Sequence, residues 1–242
     1  MLRIASATST GLVRERNEDR ISIAGRRTLE GPAAEWRTED ARQYALIADG
    51  MGGHARGEVA SDIALTKLEA MHHLLFEDEG IKVALRAANR AIYEAAVSNR
   101  DLFGMGTTIV GVAIDDKRCH WFNVGDSRAY LFRGGRMIQI SQDHVPSRSG
   151  NNRYDHSITQ SLGGARFFTE IFPSHGELVI AEDDRILLCT DGLSDLVQDT
   201  EIERIIADHE PTFALDRLIA RCFELGAPDN ISLALMRPET NN

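Results

Sequence analysis

Cysteine is nearly absent from this chain: three residues in 242, Cys119, Cys189 and Cys222, far apart and among apolar neighbours. That spacing excludes a disulfide framework and a thiolate metal site, and it assigns the thiols to the core. No apolar run is long enough to cross a membrane, and Met1-Leu2-Arg3-Ile4-Ala5-Ser6 lacks the hydrophobic stretch of a signal peptide. A cytoplasmic protein without a membrane partner is the expectation. Positive charge is in deficit, 27 Lys and Arg against 37 Asp and Glu, for a formal net charge of -10. A nucleic-acid surface normally calls for clustered Lys and Arg, so that class is excluded, and the carboxylates are left available for cations. Missing too are a Pro/Ser-rich linker and an internal repeat, so residues 1–238 are expected to form one domain, with 239–242 as a short tail.

What is present centres on Ala45-Leu46-Ile47-Ala48-Asp49-Gly50-Met51-Gly52-Gly53-His54. The run from Tyr44 to Ala48 reads as a buried strand, and Asp49-Gly50 is a turn dipeptide at its end. A carboxylate on a rigid strand end is well placed to hold a cation, and the glycines let backbone and ligand approach closely. An isolated Asp-Gly pair is more often an ordinary turn. The pattern recurs, however: Arg185 to Thr190 is a second apolar strand that ends in Asp191-Gly192. Gly125-Asp126-Ser127 sets an Asp at a strand-to-strand turn, and Asp229-Asn230 precedes a last strand over Ile231 to Met236. Four aspartates, Asp49, Asp126, Asp191 and Asp229, therefore sit at strand ends.

Around them, strands are expected over Arg3 to Ala7 and Arg20 to Ala24, joined by the charged loop Gly11 to Asp19. There, Arg14 or Arg16 could present a planar fork to a phosphate while Glu18 and Asp19 support a metal site. Gly25 to Gln43 is polar and turn-rich and reads as an exposed hairpin insertion. Glu58 to Phe76 and Ile81 to Ser98 carry helical periodicity and predict an antiparallel helix pair, with His72 and His73 at its surface. Thr107 to Ile114, Arg118 to Val124 and Ser127 to Arg133 read as a meander of antiparallel strands, and Ile171 to His175 as a further strand. Val145 to Ser157 is a surface loop. Helices follow over Glu201 to Ala207 and Phe213 to Leu225, the latter with Thr212 as its N-cap and Gly226 as its stop. Two helix pairs, each needing a sheet to cover, imply an α+β fold of stacked antiparallel sheets.

Carboxylates gathered without Cys, and without His at ligand spacing, favour Mn²⁺ or Mg²⁺ over Zn²⁺. Such carboxylates repel one another, and a divalent ion relieves that repulsion. Two ions about 3.5–4 Å apart and bridged by Asp49 would activate water for attack on a phosphoester.

The ordered series Gly11 to Asp19, Asp49-Gly50-Met51-Gly52-Gly53-His54, Gly106-Thr107-Thr108, Val124-Gly125-Asp126-Ser127-Arg128, Gln142-Asp143-His144, Ile158 to Gly163, Thr190-Asp191-Gly192 and Asp229-Asn230-Ile231-Ser232 closely resembles the bacterial members of the PPM family. These are metal-dependent protein serine/threonine phosphatases, similar to protein phosphatase 2C. The resemblance implies a four-layer α-β-β-α sandwich holding two Mn²⁺ or Mg²⁺ ions, and more weakly a third. It makes Asp49 the bridging and catalytic carboxylate, adds the Gly50 carbonyl, Asp191 and Asp229 as metal ligands, and assigns Asp126 to the third ion. Asp19 and Glu18 lie beside this set or reach it through water. Arg14 is implied as the catalytic residue that binds substrate phosphate, and Arg16 as its surface neighbour. The implied reaction is hydrolysis of phosphoserine or phosphothreonine in proteins by direct attack of metal-activated water, reversing a cognate bacterial Ser/Thr kinase and carried out by a monomer. A catalytically weak phosphoprotein-binding regulator of the same fold is the alternative, and it would be expected to lack one of the metal aspartates. Two departures stand out. Val145 to Ser157 is shorter than the usual flap, and Met51 occupies the position where eukaryotic relatives carry histidine, which leaves His54 in a supporting role rather than as general acid.

Overall fold

The structure is a computed structural model that describes residues 1–52, 56–146 and 157–238. Six strands open the chain: β1 (Leu2–Ser9), β2 (Arg20–Ile23), β3 (Arg26–Arg27), β4 (Ala34–Thr38), β5 (Arg42–Ala48) and β6 (Gly50–Met51). Two long helices follow, α1 (Gly57–Ala70) and α2 (Asp78–Ser98). The middle of the chain holds β7 (Gly106–Thr107), β8 (Ile109–Asp115), β9 (Arg118–Val124), β10 (Arg128–Arg133), β11 (Arg136–Gln139), β12 (Leu162–Gly163), β13 (Ser174–Val179) and β14 (Arg185–Cys189). Helices α3 (Asp191–Ser194), α4 (Asp199–Asp208) and α5 (Pro211–Glu224) then lead to β15 (Ile231–Pro238). Among the described residues no helix is long and apolar enough to cross a membrane.

Two six-stranded antiparallel sheets, ordered β11-β10-β14-β15-β1-β4 and β13-β9-β8-β5-β2-β3, stack face to face. The period-two alternation of each strand sorts its side chains between two cores. In β5, Tyr44, Leu46 and Ala48 point to α1 and α2, whereas Ala45 and Ile47 point to the other sheet. In β14, Leu187 and Cys189 face α3–α5 while Ile186 and Leu188 face inward. Three apolar layers therefore separate four layers of structure, the α-β-β-α sandwich that the sequence implies. Each fully buried Leu or Ile contributes roughly 1.5–3 kcal/mol by leaving water. The cysteines are buried as expected, Cys119 between the sheets and Cys189 and Cys222 under the C-terminal helices.

Several local expectations change. Gly25 to Gln43 is largely exposed, as expected, but it is not a hairpin: β3 pairs with β2 in one sheet, and β4 crosses to pair with β1 in the other, so this polar stretch supplies an edge to both. Solvated edge strands tolerate the polar composition that suggested a loop. The meander is likewise divided. β8 and β9 pair, but β10 leaves them for β11 and β14, so the turn at Gly125-Asp126-Ser127 carries the chain from sheet to sheet. Helix α1 ends at Ala70 rather than running to Phe76, and the break lets Leu75 and Phe76 drop into the core. The strand expected over Ile171 to His175 begins at Ser174, because Pro173 has no N–H for the ladder. Helix α5 starts at Pro211, with Glu210 as its extended N-cap, so Thr212 lies inside the first turn. His72 and His73 are exposed in a short turn after α1.

Candidate metal centre

At the end of β5 the backbone of Asp49 is locked from both sides. Its N–H donates to the Thr108 hydroxyl at 3.3 Å, and its carbonyl accepts from the Thr107 hydroxyl and the Thr108 N–H, both at 2.9 Å. The Thr108 hydroxyl also meets that of Ser127 at 2.7 Å, which ties the β5 end to the crossover carrying Asp126. Past Asp49 the chain forms β6, the edge of a small sheet ordered β12-β7-β6. This sheet assembles Gly50-Met51, Gly106-Thr107 and Leu162-Gly163 from three separate motifs. Gly50 is pressed against the start of α1, where a Cβ would lie 2.4 Å from the carbonyl carbon and oxygen of Gly57. No side chain fits there.

The strand-end aspartates form one electrostatic group. Burial pushes the Asp49 carboxyl well above its usual range, and Asp19, Asp191, Asp229 and Asp126 push it further. Burial lifts Asp191 to about 8, with Asp126, Asp229, Asp195 and Asp19 adding to the rise. Asp19 rises to about 7, chiefly through burial, against the opposing hydroxyls of Ser232 and Thr190. Asp126 is raised by burial and by Asp195 and Asp143, although Arg128 offsets part of this. The four positions singled out in the sequence are thus brought together, with Asp19 among them. Asp195 joins them on the Asp126–Asp191 side; it was not singled out, because one turn of helix separates it from Asp191 and no turn motif marks it.

Arg14 reaches the same cluster from the rim. Its Nη2 donates to Asp229 Oδ2 at 2.6 Å, and its charge is also felt by Glu18 and Asp49. The loop that carries it is pinned by Asn230: the side-chain Oδ1 accepts from the Glu18 N–H at 2.8 Å, and Nδ2 donates to the carbonyls of Thr10 and Arg16 at 2.9 and 3.0 Å. Gly11, at φ +77°, lets the loop rest on the carbonyls of Ala227 and Asp229. Arg16 points outward with a 3.5 Å contact to Glu58, as a surface neighbour should. Glu18 Oε1 accepts from the Gly57 N–H at 3.2 Å and its carbonyl accepts from the Ser61 hydroxyl, so it braces the start of α1 beside Gly50.

The Gln142-Asp143-His144 motif proves to be scaffolding for Asp126. Asp143 forms a bidentate pair with Arg128, its closest contact 2.8 Å. His144 Nδ1 accepts from the Gly125 N–H at 3.0 Å, which leaves Nε2–H to donate to the Ser174 hydroxyl at 3.0 Å. Thr190, Ser61 and Asn230 are positioning residues that periodicity could not reveal, since each acts on a segment distant in sequence. Gly53, His54 and most of the loop Val145 to Ser157 lie outside the described residues.

Oxygen donors dominate this cleft, and the buried Asp19 Oδ1 has no hydrogen-bond partner. Mutually repelling carboxylates plus an unsatisfied carboxylate oxygen fit a hard divalent cation. Among the described residues no three His, Cys, Asp or Glu side chains already converge as a closed metal cage. Ions such as Mg²⁺, which keep several waters and take one or two carboxylates each, do not require one.

Comparison with known proteins agrees with this geometry. Residues 32–231 match the family model described as protein phosphatase 2C. The serine/threonine protein phosphatase PstP of Mycobacterium tuberculosis is 33% identical over 97% of this chain, and the chain spans 45% of that relative's length. The protein phosphatase PhpP of Streptococcus pneumoniae is 27% identical, with 97% of each chain covered. Among solved structures, the catalytic domain of PstP in complex with two manganese ions superposes with a TM-score of 0.80 at 30% identity, covering 99% of this chain and 100% of that one. Stp1 of Staphylococcus aureus gives a TM-score of 0.82 at 27% identity, covering 99% and 96%. With its sandwich, its strand-end aspartates and a family match over most of its length, the chain belongs to the protein phosphatase 2C family.

Proposed function

We propose that this chain hydrolyses phosphoserine and phosphothreonine in proteins and so reverses the action of a bacterial Ser/Thr kinase. One observation carries the reading: Asp49 shares its electrostatic environment with Asp19, Asp126, Asp191 and Asp229, while Arg14 stands on Asp229 at the rim. Asp49, the Gly50 carbonyl, Asp191 and Asp229 would hold two Mn²⁺ or Mg²⁺ ions, and Asp126 with Asp191 a third. When bound, the ions supply Lewis-acid polarisation of the phosphoester and activation of water.

The protein supplies the rest. Thr107 and Thr108 keep Asp49 from turning away from the cleft, which matters because sub-ångström placement governs such chemistry. Arg14 offers a planar, permanently charged fork to the substrate phosphate, and Asn230 holds the loop that carries it. Asp19, buried beside Asp49, is placed to accept hydrogen bonds from water in the cleft, while Glu18 braces the turn at Gly50. None of the three buried thiols has a nucleophilic part in this reading. Partners are phosphorylated proteins and the kinase that marks them, met in the cytoplasm by a monomer.

Turnover of a phosphothreonine peptide with Mn²⁺, with and without chelator, tests the reading beside Asp191→Asn. Hydrolysis that needs Mn²⁺ and collapses in the variant is expected. A wild type with no Mn²⁺-dependent turnover overturns it and leaves a binding module of the same fold.

A further inference from the structure

A second group of titratable side chains lies where α2 begins over the outer strands β9 and β13. His120 is on the helix-facing side of β9, in line with Phe122 and Val124, and its side chain is 5% exposed. Neither ring nitrogen has a hydrogen-bond partner. Each nevertheless faces a carboxylate: Nδ1 is 3.5 Å from Asp78 Oδ1 at the first position of α2, and Nε2 is 3.8 Å from Glu177 Oε2. Glu177 sits directly across the ladder from His120 in β13, the edge strand of its sheet. His175, two residues earlier and therefore on the same face, brings its own unbonded Nδ1 to 3.7 Å from the same Asp78 oxygen.

These separations are too long for good N–H···O hydrogen bonds. They approach the spacing of ligands around a metal: with bonds of about 2.0–2.1 Å, adjacent tetrahedral ligands stand about 3.4 Å apart. We propose that Asp78, His120 and His175 bind a transition-metal ion of the Zn²⁺ class, with Glu177 orienting His120. Two imidazoles and a carboxylate leave one position for water, and this donor set suits Zn²⁺ better than the hard ions of the aspartate cleft. With an ion bound, Glu177 would accept the Nε2–H of His120, leaving the Nδ1 lone pair on the side of Asp78. Arg118 Nε holds the other Glu177 oxygen at 3.3 Å. As the side chains stand, no three His, Cys, Asp or Glu among the described residues are arranged to hold an ion, so binding must draw these together. Asp78, whose side chain is 51% exposed, is the member of the set with room to turn towards an ion. An ion there fastens the N-terminus of α2 to the sheet edge, and the site stands independently of the phosphatase reading.

The test uses the full chain stripped by chelator, then titrated with Zn²⁺ in saturating Mg²⁺, and separately with Co²⁺, whose visible absorption distinguishes tetrahedral from octahedral coordination. One Zn²⁺ per chain and an intense tetrahedral Co²⁺ spectrum are expected. His175→Ala and Asp78→Asn should each weaken binding by about a hundredfold or more, and Glu177→Gln by about ten- to a hundredfold. Mn²⁺-dependent phosphopeptide turnover by His175→Ala should stay at the wild-type level. Zn²⁺ affinity unchanged in both ligand variants, purely octahedral Co²⁺, or no binding beyond the aspartate cleft would overturn the proposal. The two ligand variants alter partly exposed side chains, so the result does not depend on replacing the buried His120.

Discussion

Asn230 and Glu18 are 212 positions apart, yet the side-chain Oδ1 of one accepts the backbone N–H of the other at 2.8 Å. Two further bonds from Nδ2, to Thr10 and Arg16, make this side chain the clasp between the Arg14 loop and the start of β15. Asn230→Ala leaves a backbone N–H and two carbonyls without their partner, at a cost on the order of 1–3 kcal/mol. The loosened loop should lower kcat/KM on a phosphopeptide by roughly tenfold, mostly through KM, since substrate positioning is what is lost. Denaturant titration and steady-state kinetics check both. A variant as stable and as active as wild type would remove Asn230 from the account.

Arg14 is more than half exposed, and its pairing with Asp229 should add little to stability. Its value lies in the charged hydrogen bonds it offers to a phosphate, worth about 1.5–3 kcal/mol. Arg14→Ala is expected to raise KM for a phosphothreonine peptide about ten- to a hundredfold while leaving the denaturation midpoint nearly unchanged. Arg14→Lys should recover only part of this, because an ammonium cannot form the planar fork. Equal KM values for wild type and Arg14→Ala would place phosphate binding elsewhere.

Gly50 offers a test of packing rather than charge. A Cβ at this position meets the Gly57 backbone at 2.4 Å, and the Glu18 carbonyl at 2.7 Å, and neither neighbour is a flexible side-chain end. Gly50→Ala must therefore move β6 away from α1, at a cost of about 1–3 kcal/mol. The carbonyl proposed as a metal ligand moves with it. Mn²⁺ affinity measured by calorimetry should fall together with activity; a variant with wild-type Mn²⁺ affinity would show that Gly50 is needed for packing alone.

Much of this was legible in the chain. Apolar runs ending in Asp-Gly at positions 49 and 191 located two of the carboxylates, and the ordered motifs located the others and the sandwich. What could not be read were relationships that tertiary packing alone creates. The polar stretch from Gly25 to Gln43 carries no core signal because edge strands need none, and nothing local says that β10 leaves β9 for the other sheet. Asn230, Thr107 and Thr190 look like routine polar residues until their distant partners are known. His120 is hidden for the same reason: its partners come from α2 and β13, and no local spacing joins them.

The aspartate cluster also dictates an unusual dependence of stability on pH. In the protein stripped of divalent ions, folding raises Asp19 to about 7 and Asp191 to about 8, both mainly through burial, from an ordinary value of 3.8. Asp49 moves in the same direction. Above the ordinary value the folded state keeps protons that the unfolded chain has released, so stability falls as pH rises through about 7 and 8. His144 opposes this at lower pH. Burial lowers it from 6.5, so it favours the folded state as pH rises towards that value. The clean window is therefore pH 6.5 to 8, where the thermal midpoint with chelator should drop by several degrees. Mn²⁺ replaces the protons as the partner of the carboxylates, so in its presence the midpoint should be higher and nearly flat across the same window. Asp191→Asn removes one of the titrating groups and should shallow the chelator curve without added metal. A midpoint that climbs from pH 6.5 to 8 in chelator would mean that these carboxylates are ionised and satisfied within the protein, and that no cation is needed to bring them together.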